Sequence, residues 1–199
     1  MTVPQMTRTG VFPLLLAIQA VCLLAAVVGG YFSGVELNLL GGALWGALFF
    51  ALIGALASFV SVVWLTRSNT AVGRTLRRHC TQLTPVFAGL SIGQIAVIAA
   101  VTGICEELLF RGFLQVWWSQ LSSPLAGLLG ASLVFALLHW ASRVYVLLTF
   151  VFGLILGLAY QANGSLLGVI TWHAMYDLLV LVTLVYHPHL LGVDAAGIH

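Results

Sequence analysis

Glu106, Glu107 and Arg111 put three ionisable side chains into six residues of a chain in which only 6% of residues are charged. The surrounding run is apolar enough to lie in lipid, where each such group is costly and marks a functional site by default. On a helix, Glu107 and Arg111 stand at i, i+4 with the acid N-terminal, the favourable order for an ion pair. Glu106 is turned about 100° away and is not placed to share that guanidinium. One carboxylate is thus neutralised, and the other is free to work.

Three more polar residues interrupt apolar helices: His139, His173 and Asp177. Phe135 and His139 share a helix face at i, i+4, and so do His173 and Asp177. Such a set suits the activation of water. A carboxylate stripped of bulk water can act as general base, a second group orients the water, and a donor stabilises the oxyanion of a peptide carbonyl. The same residues admit a zinc site with Glu106, His139 and His173 as ligands, although no His-Glu-x-x-His run is present. A plainer reading makes the histidines hydrogen-bonding struts between helices and the Glu107–Arg111 pair a structural tie. Under it Glu106, with no cation one turn away, would be buried to no purpose.

The elements that position these groups follow from composition. The chain has 199 residues, 61% of them hydrophobic, with a mean hydropathy of +1.12; soluble domains are about 45–50% apolar and about 25% charged. This is an all-α, polytopic transmembrane bundle of about six spans, and a net charge of +2 gives no reason to expect a nucleic-acid partner. Apolar runs over 11–32 and 39–65 each exceed the ~20 residues that cross a bilayer. The polar stretch from Thr66 to Gln82 carries Arg67, Arg74, Arg77, Arg78 and His79, and reads either as an interfacial helix against anionic headgroups or as a solvated loop. His79 is expected to face the headgroups. Thr84-Pro85 reads as an N-cap and first helical residue, opening an apolar pattern that runs to Ser119. At roughly 50 Å that segment is too long for one simple span, so it projects at a tilt or breaks near Thr102-Gly103. Further spans are expected over 124–142, 144–161 and 165–186.

This organisation divides the chain into a two-span region with a basic cytoplasmic loop (1–83), a membrane core (84–186) and a short polar tail (187–199), whose His187 and His189 are given no role. No cleavable signal peptide is expected. With the N-terminus inside, Arg8, the arginines of 67–78 and Arg143 all face the cytoplasm, in keeping with the positive-inside rule. Gly89/Gly93, Gly153/Gly157 and Gly164/Gly168 have the small-xxx-small spacing that lets membrane helices approach. Cys22, Cys80 and Cys105 show no metal or redox spacing and read as small apolar fillers. No two-half internal repeat of the kind many carriers show is present, which weighs against a proton-coupled carrier.

Taken in order, Glu106-Glu107-x-x-x-Arg111-Gly112, Phe135-x-x-x-His139 and His173-x-x-x-Asp177 resemble the three motifs of the CPBP family. That family comprises CAAX-type prenyl endopeptidases of the Ras-converting-enzyme type and bacteriocin-processing or immunity homologues. The resemblance covers about 85–185 and implies a glutamic intramembrane endopeptidase of a bacterial inner membrane, acting without a cofactor on a membrane-associated protein or peptide. Glu106 matches the carboxylate that activates water, aided by His139, while His173 and Asp177 match the oxyanion side; Glu107, Arg111 and Phe135 are supporting residues. The last position is commonly Asn in the prenyl-protein proteases, and an ionised Asp accepts but does not donate. Asp177 would therefore act protonated or by orienting His173. The rival outcome is a non-catalytic immunity or scaffold protein that keeps the motifs as packing struts.

Overall fold

The computed structural model describes residues 10–36, 39–41 and 44–193; Arg8, Asn38 and the end of the tail lie outside them. The described residues form helices and the turns that join them, with no strand among them, in the order α1 (Val11–Ser33), α2 (Leu44–Arg67), α3 (Ala71–Phe87), α4 (Ile92–Glu107), a π-helical segment (Leu108–Gln115), α5 (Val116–Leu121), α6 (Pro124–Leu138), α7 (Arg143–Asn163) and α8 (Leu166–Tyr186). A 3₁₀ turn, Pro188–Leu191, follows. Among the described residues, five helical stretches are long and apolar enough to cross a membrane: α1, α2, the continuous run Ile92–Leu121, α7 and α8. Their outer faces carry large exposed apolar side chains such as Val21, Leu24, Phe49 and Trp64, the surface that lipid covers. The protein is an integral membrane protein.

The expected fourth span is shorter than its apolar run. α6 holds 15 residues, about 22 Å against the ~30 Å of hydrocarbon, so the six expected spans are five long helical stretches and one short helix. His139, the residue that ends α6, stands there 3.6 Å from Glu106.

Two local expectations are corrected, and an open one is decided. Thr84-Pro85 does not open a helix; α3 runs through it to Phe87, with Pro85 in the last turn, and the helix ends two residues further on. The next helix begins instead at Ile92, capped by a reciprocal Ser91–Gln94 box, which satisfies two otherwise orphaned donors. Of the two courses open to the long third segment, the break near Thr102-Gly103 is the one not taken. The segment stays helical and widens into a π segment that begins directly after Glu107 and carries Arg111, a distortion found often at functional sites. Finally, the tail is not simply polar and solvated: Leu191 and Val193 are buried with Leu184 against α2 and α3.

α8 is the axis of the bundle, packed between α4 and α2. α2 offers it a seam of small buried residues, Ala47, Ala51, Gly54 and Ala55, and the ring of Trp172 lies directly on Gly54. α6 and α7 form a hairpin against the π segment. Of the three glycine pairs only Gly153/Gly157 forms such a contact face with both members. Gly89 and Gly164 sit at positive φ in turns, a backbone conformation that favours glycine.

At Gly157 a Cβ would meet Gln115 Oε1 at 2.7 Å, whereas at Gly93 its nearest neighbour is Ser91 Oγ at 3.9 Å. Gly157→Val should therefore cost about 1–3 kcal/mol through overpacking, while Gly93→Ala stays within about 0.5 kcal/mol. Melting temperatures of the two purified variants in detergent check the difference.

Candidate active site

The motif opens at the junction of α4 and the π segment, where Glu106, Glu107 and Arg111 are all buried. Glu107 is fully enclosed, and its Oε1 receives two donors: Arg111 Nη1 at 2.7 Å and His173 Nδ1 at 2.7 Å. A carboxylate oxygen holding two cationic or polar donors is the arrangement that makes burial of its charge tolerable. Arg111 sends its other arm, Nη2, to the Gly153 carbonyl at 3.1 Å, and one turn further on Gln115 Nε2 donates to the Gly157 carbonyl at 3.0 Å. The two bonds fix the register of the π segment on α7, and the two glycines let the long side chains reach that backbone. The guanidinium also lies 4.7 Å from the Phe135 ring centroid, within cation–π range.

Glu106 points elsewhere. Its Oε1 accepts from Gln19 Nε2 of α1 at 2.9 Å, and its Oε2 faces His139 Nε2 at 3.6 Å with no hydrogen-bond partner. His139 Nδ1 lies 2.7 Å from the Phe135 carbonyl. A carbonyl only accepts, so Nδ1 carries the proton and Nε2 of a neutral ring presents a lone pair toward Glu106. By the same reasoning His173 Nδ1–H donates to Glu107. Its Nε2 is left 3.6 Å from Asp177 Oδ2, so the carboxylate that fixes the His173 ring is Glu107, from another helix, rather than Asp177 one turn away.

Glu106, His139, His173 and Asp177 line one cavity of about 640 Å³ that is walled by α2, α3, α7 and α8. α3 forms its roof: Leu76, His79, Cys80 and Leu83 point inward, while Arg74 and Arg78 are exposed on the opposite side. The polar stretch is thus an amphipathic helix. His79 does not face headgroups as expected; its Nε2 is 2.9 Å from Ser142 Oγ, and its ring packs edge-on to Tyr145. Among the described residues no three His, Cys, Asp or Glu side chains form a group that could hold a metal ion.

Sequence reasoning missed Gln19 and Gln115. Each is a lone amide on an otherwise buried apolar stripe, a signal the sequence carries, but its partner is on another helix and no spacing rule reveals it.

Residues 88–179 match the family model described as type II CAAX prenyl endopeptidase Rce1-like. No curated protein and no solved structure matches the chain.

Arg111→Ala should strand the Glu107 carboxylate and lower stability by about 3–5 kcal/mol. Thermal unfolding in detergent measures it. A variant that melts with the wild type yet cleaves nothing would move Arg111 from scaffold to chemistry.

Proposed function

We propose that this chain, whose residues 88–179 match the Rce1-like model of type II CAAX prenyl endopeptidases, is an intramembrane protease that hydrolyses its substrate with water activated by Glu106 and His139. The observation that carries the reading is the free Oε2 of Glu106, buried without a hydrogen-bond partner 3.6 Å from His139 Nε2 at the cavity wall. One water fits between two acceptors at that separation, giving a hydrogen to each at ordinary hydrogen-bond length.

The water attacks the scissile carbonyl carbon while Glu106 takes its proton, and Glu106 returns that proton to the leaving amine. His139 orients the water through its Nε2 lone pair. His173, with Nδ1–H committed to Glu107, turns Nε2 toward the cavity; protonated there, it donates to the oxyanion. Asp177, 3.6 Å from that Nε2, joins it as a neutral donor. Catalytic roles fall to Glu106, His139, His173 and Asp177, and supporting roles to Glu107, Arg111 and Phe135.

The donor geometry supports a metal-free mechanism over zinc, since the carboxylate and imidazoles do not gather into a three-ligand group. The substrate is a membrane-associated protein or peptide, for which a wet site inside apolar walls is suited. Arg67, Arg74, Arg78 and Arg143 are exposed, and the positive-inside rule puts them, with the N-terminus, on the cytoplasmic side of a bacterial inner membrane.

The test uses quenched fluorescent peptides in liposomes, with and without a C-terminal prenyl-cysteine. Glu106→Gln keeps shape but removes the base, so cleavage should fall by ~10²-fold or more, with an unchanged melting temperature. Wild-type cleavage should survive prolonged chelation; loss on chelation with recovery on added zinc would establish the metal mechanism instead.

A further inference from the structure

Gln19 lies on α1, outside the matched residues 88–179. It is buried in a span whose other buried residues are Val11, Ala26 and Gly30. An amide there is costly unless it is bonded, yet only half of it is: Nε2 donates to Glu106 Oε1, and Oε1 has no partner. Both groups line the cavity.

A carboxylate turns about its last torsion through a broad, roughly two-fold well. Left to itself, Glu106 would sample orientations in which neither oxygen faces His139. The Gln19 bond occupies one oxygen and fixes the plane, so that the other is presented to His139 Nε2. Nothing else does this: among the described residues, no other hydrogen bond reaches the Glu106 side chain, and Arg111 is committed to Glu107. We infer that Gln19 is a positioning residue, holding Glu106 in the orientation that makes it the base; this rests on the role of Glu106 proposed above. The first helix, which carries none of the family motifs, thereby completes the active site.

A strut between helices would serve stability alone, so the test needs a readout that stability does not move. The chain has three glutamates, Glu36, Glu106 and Glu107, and the infrared difference between wild type and Glu106→Gln isolates the Glu106 carboxyl band. Gln19→Met, of similar volume but without a donor, should shift that band. It should also lower kcat by about tenfold or more with KM unchanged, because orientation is lost while substrate binding is not. Should Gln19→Met fail to accumulate, Gln19→Asn, whose amide is one methylene short of Glu106, should give the same two changes. An unmoved band, or a wild-type kcat in a preparation where Glu106→Gln is inactive, overturns the assignment of Gln19 alone. Cleavage that persists in Glu106→Gln overturns the base itself, and the positioning role with it.

Discussion

The structure depends on one buried charge, the carboxylate of Glu107. Removing it from water costs several kcal/mol unless donors meet it closely, and the two that do come from different parts of the bundle. Arg111 stands one turn along, and His173 is on α8. Because Arg111 also reaches the Gly153 backbone on α7, this oxygen ties three membrane segments to a single geometry. In a bundle where lipid is as apolar as the helix faces, such polar ties supply specificity that hydrophobic burial cannot.

The tie divides the work of two adjacent carboxylates. Glu107 faces inward, with two donors on its Oε1. Glu106, about 100° around the helix, faces the cavity with one oxygen held and the other open. The short α6 then delivers His139 to that open oxygen, and the Phe135 carbonyl holds its ring in the tautomer that can accept from water. In the proposed mechanism, the reacting oxygen is the one left open at the cavity, and the bonds around it hold it there.

Much of this was legible in the chain. Run length and hydropathy located α1, α7 and α8 to within a few residues, and i, i+4 spacing correctly paired Glu107 with Arg111. The remainder was hidden for physical reasons. Hydropathy is the same whether a face meets lipid or protein, so it marked α6 as a full span. Proline in a last turn looks, in sequence, like proline in a first turn, and Pro85 was read as a beginning. His173 lies one turn from Asp177, yet its ring is held by Glu107 from 66 residues away; no local periodicity carries that information. His79 and Gln19 were obscured likewise, their partners Ser142 and Glu106 being brought near only by the packed bundle.

The division of labour between the two carboxylates is tested most directly by the melting temperature of Glu107→Gln, measured in detergent beside the wild type. A neutral amide leaves Arg111 buried without its counter-charge, so the account predicts a fall of roughly 10 °C or more. A Glu107→Gln protein that melts with the wild type would contradict it, because Glu107 would then not be the charge on which the fold is built.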